Sequence, residues 1–419
     1  MDKFVIEGGR RLEGEVRAGG AKNSVLKLMA AAIMADGPCT ILNVPDIADV
    51  WTMMEVIRYL GFEAVFSDGT LRISPACDPK LEAPYYLVRR MRASVEVLGP
   101  LLARFGRARV AMPGGCNIGS RQIDLHLRGL EQMGVRLDVF HGYIEAEAPR
   151  MTGAHLYLDF ASMGATENLL MAGVLAKGRT VIENAAKEPE IADLVEFLCG
   201  MGARISGAGT STLVVDGVPS LSGTEHAVIG DRVEAGTFLL AGAITRGELR
   251  VTGVNPEHLV ILVEKMREAG CALEAGDDCL VVKAGGKLRG IEVSTLPYPG
   301  FPTDLQPQLL ALLATVEGTS FITENIFDNR FMIVDELNRM GADIRTKDHH
   351  AIVHGVPELS GAPVIATDLR AGAAVVLAGL AAGGTTEVHE IHHIDRGYER
   401  FEEKLASVGA QIQRVSERE

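Results

Sequence analysis

The chain has 419 residues, of which 47% are hydrophobic and 23% charged, an ordinary composition for a globular protein of two or three domains. Its formal charge of −14 argues against broad nucleic-acid binding, which needs a basic face, but not against a local basic pocket for a small anion. The six cysteines are scattered without a CxxC pair. With no apolar signal segment and no membrane-spanning run, we expect a cytoplasmic protein.

One unit of about 70 residues recurs six times along the chain. Each copy predicts a helix that ends at a glycine and is followed by a short alternating strand, and these glycines recur every 68 to 73 residues, at 61, 134, 202, 270, 341 and 409. A glycine just past a helix suits the left-handed C-cap position. A second glycine opens a strand 23 to 28 residues upstream, at 37, 106, 178, 247, 318 and 384. The sequence therefore predicts six α/β repeats.

Each repeat is predicted to contain an apolar helix, a turn, a strand, an amphipathic helix and two short strands. The apolar helices include SVLKLMAAAIMA, ASVEVLGPLLAR, EAGTFLLAGAIT and LQPQLLALLAT. Several are apolar on nearly every side, so we expect them to be buried. Six repeats divide naturally into two lobes of three, and a cleft between lobes is the usual place for a ligand.

Cys116 lies in the segment MPGGCNIGSR, which is too rich in glycine and proline to form a helix or a central strand. Arg121 follows five residues later, and a nearby cation favours the thiolate form of a cysteine. The segment also makes the glycine spacing longer in the second repeat than in the others. We therefore expect a reactive cysteine on a loop that closes over a site.

Polar residues recur at two positions of the repeat. The first position is the start of the buried helices, with Lys22, Asn23, Arg92, Ser162 of the segment Ser162-Met163-Gly164, Asp231, Arg232, Asp304, Asp368 and Arg370. The second follows the next strand, with Asp49, Cys116, Arg121, Glu188, Glu190, Arg330 and Arg396. Helix N-termini attract anions, and the cations among these residues suit a phosphate together with a carboxylate. This pattern predicts a pocket for a small substrate carrying both groups.

Other motifs give weaker signals. The spacing from Gly114 to Ser120 imitates a phosphate-binding loop, but Arg121 follows the serine and the Gly-Lys-Ser/Thr of such a loop does not appear. The histidine groups at 349, 350 and 354 and at 389, 392 and 393 lack a recognised metal-ligand spacing. No G-x-G-x-x-G follows a predicted strand. We therefore expect neither a metal nor a dinucleotide cofactor.

The chain resembles the UDP-N-acetylglucosamine enolpyruvyl transferases along its whole length. The resemblance rests on GGAKNSVLK, the MRAS helix start, PGGCNIGSRQIDLH, ENAAKEPEI, FPTDLQ, ENIFDNRF, TDLRAGAA and HIDRGYER, in that order. It implies two inside-out α/β barrel domains of three repeats each, one over residues 21–229 and one over 1–20 plus 230–419. It also implies transfer of the enolpyruvyl group of phosphoenolpyruvate to the 3′-hydroxyl of UDP-N-acetylglucosamine through a tetrahedral intermediate.

The resemblance also implies roles for individual residues. The expected catalytic groups are Cys116 as the acid, Asp304 beside the attacking hydroxyl, Lys22 and Arg396. The expected phosphoenolpyruvate contacts are Lys22, Asn23, Arg92, Arg121, Arg330, Arg370 and Arg396. The expected UDP-sugar contacts are Asn23, Arg92, Arg121, Asp124, Leu125, His126, Ser162, Gly164, Asp304 and Phe327. The epoxide fosfomycin, which alkylates this cysteine in the family, is an expected inhibitor, and no cofactor, metal, membrane or nucleic-acid partner is implied. We expect a monomer or a weak homo-oligomer.

Two alternatives to this activity follow from the same residues. The sister enolpyruvyl transferase acting on shikimate 3-phosphate shares the six-repeat fold, but the cysteine-bearing loop and the AKNS start favour the UDP-sugar enzyme. The other alternative is a non-catalytic paralogue that binds a UDP-sugar. A pure binding protein needs no acid, so Cys116, Asp304 and the arginines argue against it.

Overall fold

The computed structural model describes residues 2–112 and 123–416, and these form two compact units. The first unit contains the described residues of 20–229, and the second contains residues 2–19 and 230–416. Each unit has its own hydrophobic core. None of the helices within these ranges combines the length and apolar character needed to cross a membrane.

The described part of the first unit contains three four-stranded sheets. Their strands are Cys39–Leu42, Glu63–Ser67, Thr70–Ser74 and Glu225–Ala227; Glu82–Ala83, Arg107–Ala111, Arg136–Phe140 and Tyr143–Glu147; and His155–Tyr157, Arg179–Glu183, Arg204–Ser206 and Thr212–Asp216. The helices are Lys22–Ala31, Ala48–Tyr59, Tyr85–Val88, Leu98–Phe105, Asp124–Gln132, Met163–Val174 and Pro189–Gly200, with 3₁₀ turns at Ala32–Met34 and Arg92–Val97.

The second unit repeats this arrangement. Its strands are Glu13–Arg17, Glu248–Thr252, Ala272–Ala275 and Cys279–Lys283; Glu292–Ser294, Thr319–Thr323, Asp343–Lys347 and His350–His354; and Asp2–Glu7, Pro363–Ile365, Thr385–His389 and Gln411–Ser416. The helices are Arg232–Ile244, Val260–Ala269, Gln306–Leu313, Ile333–Arg339, Leu369–Ala381 and Phe401–Ser407. The 3₁₀ turns are Pro256–Leu259, Thr303–Leu305, Arg330–Met332 and Ile391–Arg396.

The six predicted repeats are confirmed, and each contributes one sheet with the same pairing. The strand after each buried helix pairs antiparallel with a hairpin strand on one side and parallel with a short edge strand on the other. The edge strand was not predicted: in five sheets it has only two or three residues, too few to show an alternating pattern, and in the remaining sheet it is the five-residue strand Glu13–Arg17. In the last sheet Asp2–Glu7 takes the place of the inner hairpin strand, between Thr385–His389 and Gln411–Ser416.

The glycines that end the helices adopt the left-handed conformation expected of a C-cap. Their φ angles lie between 87° and 106° in all six repeats, at 61, 134, 202, 270, 341 and 409. Residues with a Cβ adopt this region only at a cost, so the spacing seen in the sequence has a conformational cause.

The apolar helices are buried, as predicted. All thirteen residues of Arg232–Ile244 are buried, and this helix packs against Gln306–Leu313 and Leu369–Ala381 in the core of the second unit. Two predicted helices differ from the sequence expectation because their first part is a 3₁₀ turn. Pro100 and Pro307 lie in the first turn of the α-helix that follows, where a proline ring clashes with α-helical continuation upstream.

Candidate active site

In the first unit, the two recurring polar positions meet at Lys22 and Asp49. Lys22 opens the buried helix Lys22–Ala31, and its Nζ lies 2.8 Å from Oδ2 of Asp49 in the first turn of Ala48–Tyr59. Both side chains are almost fully buried. A buried ion pair fixes the position of both partners, because separating them would leave a charge uncompensated in the protein interior.

Other predicted residues of this unit also lie where its buried helices begin. Arg92 opens the 3₁₀ turn Arg92–Val97, which packs against Lys22–Ala31. Ser162 caps the helix Met163–Val174, with its Oγ accepting a hydrogen bond from Ala165 N at 3.3 Å. Asn23 is half-buried, and its carbonyl oxygen accepts a hydrogen bond from Lys27 Nζ at 2.9 Å.

His126 is almost fully buried. Its Nδ1 lies 3.1 Å from Nδ2 of Asn168, and burial, with the nearby charge of Arg92, lowers the pKa of His126 to about 4. The imidazole is therefore neutral at physiological pH. A Cβ placed on Gly164 would lie 3.3 Å from Cε1 of His126 and 3.0 Å from Oε1 of Glu96, so only glycine fits here without displacement.

Asp124 and Leu125 occupy the first turn of the outer helix Asp124–Gln132. Asp124 accepts a hydrogen bond from the guanidinium group of Arg128, and Leu125 packs partly against the core of the unit. Two predicted residues, Cys116 and Arg121, lie outside the described residues.

In the second unit, Asp304 lies between two arginines. Its Oδ1 is 3.2 Å from Nη2 of Arg330, and its Oδ2 is 3.0 Å from Nη2 of Arg370. Both arginine side chains are buried, whereas a quarter of the Asp304 side chain is exposed. The structure therefore brings together three residues that the sequence placed 26 and 66 positions apart.

The partners of these arginines hold them in place. Arg330 donates from Nε and Nη2 to the carbonyl oxygen of Thr303 at 3.3 and 3.2 Å, and Asp368 Oδ1 lies 3.8 Å from its Nη1. Asp368 also caps the helix Leu369–Ala381 by accepting from Arg370 N at 2.8 Å. Burial acts to lower the pKa of Arg370, but Asp304 and Tyr398 outweigh it and the net pKa is raised, so this guanidinium stays charged.

One donor of this cluster has no acceptor among the described residues. Within the described ranges, Arg370 Nη1 is buried and makes no hydrogen bond. A buried guanidinium N–H without a partner is costly, and a negatively charged ligand would remove that cost. The arrangement can therefore bind an anion beside the Asp304 carboxylate.

Phe327 and Arg396 complete the predicted residues of the second unit. Phe327 is half-buried, and the guanidinium carbon of Arg330 lies 5.9 Å from the centre of its ring. Arg396 ends the turn Ile391–Arg396 and is half-buried, next to Asp395, whose carboxylate accepts from Arg414 at 2.6 and 3.0 Å.

Several contributing residues were missed in the sequence. Glu324 is 1% exposed, and its carboxylate accepts from Thr295, Thr303 and the N–H groups of residues 326 and 327, which shapes the loop carrying Phe327. Lys27 and Glu96 lie inside the apolar runs SVLKLMAAAIMA and ASVEVLGPLLAR, and Glu167 lies in the buried helix Met163–Val174. These three residues could have been found in the sequence, because each is a charged residue within an otherwise apolar helix. No group of three or more His, Cys, Asp or Glu side chains in the described ranges could hold a metal.

Comparison with known proteins gives concordant results. The EPSP synthase (3-phosphoshikimate 1-carboxyvinyltransferase) family matches residues 6–405. A UDP-N-acetylglucosamine 1-carboxyvinyltransferase 2 from Carboxydothermus hydrogenoformans is 55% identical over 419 residues, covering 100% of both chains. A UDP-N-acetylglucosamine 1-carboxyvinyltransferase from Nocardia farcinica is 54% identical over 99% of each.

Solved structures agree on the fold. The enolpyruvyl transferase NikO from Streptomyces tendae superposes with a TM-score of 0.89 at 30% identity, covering 99% of each chain. An EPSP synthase from Acinetobacter baumannii superposes with a TM-score of 0.75 at 21% identity, covering 99% of this chain and 100% of that one, which supports the fold alone. With full-length relatives above half identity, the chain belongs to the UDP-N-acetylglucosamine 1-carboxyvinyltransferases, a branch of the EPSP synthase family with the enolpyruvyl transferase fold.

Proposed function

We propose that this chain transfers the enolpyruvyl group of phosphoenolpyruvate to the 3′-hydroxyl of UDP-N-acetylglucosamine and releases phosphate. This is the first committed step of peptidoglycan precursor synthesis. The full-length relatives carry the name of this activity, whereas the likeness to the shikimate enzyme extends to the family and the fold.

The observation that carries the proposal is the Arg330–Asp304–Arg370 cluster. It combines an oriented carboxylate, two buried guanidinium groups and one guanidinium donor without an acceptor among the described residues. A phospho-carboxylic acid such as phosphoenolpyruvate supplies acceptors for such donors, and the carboxylate next to them can accept a hydrogen bond from an attacking hydroxyl. A protein that only bound a UDP-sugar would need neither arrangement at this position.

The reaction is an addition followed by an elimination. The 3′-oxygen of the sugar bonds to C2 of phosphoenolpyruvate while C3 gains a proton, which gives a tetrahedral intermediate that still carries phosphate. The bond between C2 and the phosphate oxygen then breaks, C3 loses a proton, and the enol ether and phosphate leave. Positive charge develops at C2 on the way, so the protein must hold phosphate and carboxylate without quenching that charge.

The proposed catalytic roles follow the family pattern. Cys116 would deliver the proton to C3, and Asp304 would accept the proton of the attacking hydroxyl. Lys22 and Arg396 would stabilise the phosphate as it leaves. Asn23, Arg92, Arg121, Arg330 and Arg370 would complete the binding of phosphoenolpyruvate.

The proposed UDP-sugar contacts are Asn23, Arg92, Arg121, Asp124, Leu125, His126, Ser162, Gly164, Asp304 and Phe327. Because His126 is neutral and its Nδ1 faces Asn168, it would serve as a hydrogen-bonding group through Nε2 and not as a cation. Gly164 would leave room for the sugar nucleotide beside it.

Fosfomycin provides a direct test of Cys116. A thiolate that opens the epoxide forms a thioether, which adds the mass of the inhibitor to one peptide. We expect that adduct on the peptide containing Cys116 and not on peptides containing Cys77 or Cys199, which are exposed cysteines of the same chain. Since both substrates are cytoplasmic metabolites, we propose that the enzyme works there.

The activity itself is tested by phosphate release from phosphoenolpyruvate, with UDP-N-acetylglucosamine or shikimate 3-phosphate as acceptor. We expect release with the UDP-sugar only, and its loss in Cys116→Ala. Release with shikimate 3-phosphate would overturn the proposed substrate. Binding of the UDP-sugar without release from either acceptor would instead support the non-catalytic paralogue.

A further inference from the structure

Tyr398 is a fully buried tyrosine in the core of the second unit. It is 2% exposed and follows Arg396 by two positions in the chain. A tyrosine joins an apolar ring to a polar hydroxyl group, and a buried hydroxyl group usually has a hydrogen-bond partner. The contacts of the ring and of the hydroxyl group therefore indicate what this side chain does.

The hydroxyl group of Tyr398 connects two of the buried helices. Its Oη lies 2.9 Å from Oγ1 of Thr237, on Arg232–Ile244, and accepts a hydrogen bond from Nε2 of Gln308, on Gln306–Leu313, at 3.1 Å. Gln308 Nε2 also donates to Thr237 Oγ1 at 3.1 Å. Both partners are 0% exposed. The three side chains thus form a closed network that fixes the position of the hydroxyl group.

The ring of Tyr398 contacts both a second aromatic ring and an arginine. Its centre is 4.7 Å from the ring centre of Phe401. The guanidinium carbon of Arg370 lies over the ring, 5.5 Å from its centre. The face of an aromatic ring attracts a guanidinium group within about 6 Å of its centre, and more strongly where water is excluded. Arg370 is 3% exposed, so water is excluded from this contact.

Arg370 is therefore held at three points. Its backbone N–H donates to Oδ1 of Asp368 at 2.8 Å, its Nη2 lies 3.0 Å from Oδ2 of Asp304, and the ring of Tyr398 is the third contact. Nη1 is buried and has no acceptor among the described residues. Because the rest of the side chain is held, this donor has a fixed direction before a ligand binds.

A neutral ring suits this position better than another acidic residue would. Arg330 and Arg370 already lie beside two carboxylates, those of Asp304 and Asp368. A third carboxylate would repel an anion, whereas a ring holds the guanidinium group without adding negative charge. Burial raises the pKa of Tyr398 although Arg370 opposes the shift, so the phenol keeps its proton at physiological pH.

We propose that Tyr398 is a positioning residue for phosphoenolpyruvate binding: its ring, fixed by Thr237 and Gln308, holds Arg370 so that Nη1 is directed at the anion in advance. The inference rests on the proposed transferase function, in which Arg370 contacts phosphoenolpyruvate. A side chain that is ordered before binding loses little rotamer freedom when the ligand arrives, which increases affinity. Tyr398 acts through Arg370 and not through its own contact with the substrate.

The first test is steady-state kinetics of phosphate release for wild type, Tyr398→Leu and Tyr398→Phe. For Tyr398→Leu, which removes the ring, we expect KM for phosphoenolpyruvate to rise about tenfold, with kcat and KM for UDP-N-acetylglucosamine within about twofold of wild type. Tyr398→Phe keeps the ring, so its KM for phosphoenolpyruvate should stay within about twofold of wild type. It should nevertheless melt at a lower temperature, because Thr237 and Gln308 lose a buried partner.

Phe238→Leu is the control for the loss of a buried ring. Phe238 is 0% exposed and packs against Phe401 in the same core, with 5.8 Å between the ring centres. This variant should also melt at a lower temperature, but its KM for phosphoenolpyruvate should match that of wild type. An equal rise of this KM in Phe238→Leu and Tyr398→Leu, or a rise in neither, would overturn the inference while leaving the transferase function intact. Absence of turnover in wild type would instead reject the function.

A measurement on the unliganded protein covers the possibility that Tyr398→Leu folds poorly. In protein made with isotope-labelled arginine, NMR relaxation should show the Nε–H group of Arg370 as rigid as the backbone, with an order parameter of about 0.85. Arg136, whose side chain is 75% exposed, should be more mobile. Arg370→Lys identifies the resonance by removing it, and Tyr398→Phe should leave it rigid. A mobile Arg370 in the wild-type protein would contradict the proposal independently of any activity.

Discussion

At the scale of single residues, the site depends on a few side chains whose charges are matched at short range. Asp304 receives one guanidinium donor on each carboxylate oxygen, and Gly164 leaves its Cβ space to Glu96 and His126. Substitutions at both residues therefore test the packing and the charge balance of the site together.

Asp304→Asn should lower kcat by about 100-fold or more, because the amide cannot accept the proton of the attacking hydroxyl. Stability should also fall, since Arg330 and Arg370 would lose their shared carboxylate inside the protein. Phosphate-release kinetics and a thermal melt measure the two effects. Asp343→Asn, on an exposed strand of the same unit, should change neither. Near-normal kcat in Asp304→Asn would contradict the assigned role.

Gly164→Ala should destabilise the first unit by roughly 1–3 kcal/mol, because the new methyl group would lie 3.0 Å from Glu96 Oε1 and 3.3 Å from His126. Urea denaturation measures the difference. Gly286→Ala is the control, since a Cβ there meets no atom within 4 Å. Equal stability of the two variants would show that the neighbours of Gly164 can move at little cost.

At the scale of the elements, the six repeats share one helix-ending device. The left-handed glycine lets each outer helix end and the chain turn into the strand that follows, and the same φ range recurs although the surrounding sequences differ. The geometry thus belongs to the repeat and not to any one site.

Gly202→Ala should cost about 1 kcal/mol, because alanine must adopt a φ near 104° although no atom lies within 4 Å of its Cβ. Urea denaturation against Gly286→Ala, which also adds a methyl group into open space, isolates the conformational part. A cost within error of that control would mean that the turn relaxes.

Glu96→Gln should change how stability depends on pH. The pKa of Glu96 is about 7 in the folded protein and 4.5 in an unfolded chain, so its stabilising contribution is complete below pH 4.5 and is lost as the pH rises to 7. The glutamine side chain of the variant cannot ionise and loses nothing. The free energy of unfolding, measured by urea denaturation, should therefore favour the variant over wild type by more at pH 8 than at pH 5, with a difference of at most about 3 kcal/mol. A pH-independent difference would argue against a buried proton.

At the scale of the whole molecule, the second unit is assembled from both ends of the chain. Asp2–Glu7 lies between Thr385–His389 and Gln411–Ser416, and Phe4 is fully buried in the core with the Arg414 guanidinium carbon 5.1 Å from its ring centre. The described residues of the first unit come from two neighbouring stretches, 20–112 and 123–229.

Phe4→Ala should destabilise the second unit by about 3–5 kcal/mol, through lost burial and the cavity it leaves. Hydrogen exchange should accelerate in Thr385–His389 and Gln411–Ser416 and stay unchanged in the strands of the first unit. Val5→Ala, from a half-buried position on the same strand, is the milder control. Equal acceleration in both units would show that their stabilities are not separable.

The six repeats and their buried helices could be predicted from the sequence, since the glycine spacing indicates a recurring helix end and the apolar runs indicate burial. The recurrence of polar positions and the family resemblance assigned Asp304, Arg330 and Arg370 to one site, but neither predicted their direct contacts, because spacing does not give side-chain direction. Lys27, Glu96 and Glu167 were missed because each is a single charged residue in a helix that was judged by its predominantly apolar composition. The roles of Cys116 and Arg121 stay predictions, since both lie outside the described residues.

The placement of Asp2–Glu7 has a consequence for synthesis on the ribosome. This strand is made before the first unit and its two neighbours in the sheet are made after it, so the strand has no sheet partner while the first unit is synthesised. During that interval Phe4 and Ile6 expose an apolar strand edge of the kind that chaperones bind. The yield of folded protein should then depend on translation speed and chaperone supply more than on the stability of the finished molecule.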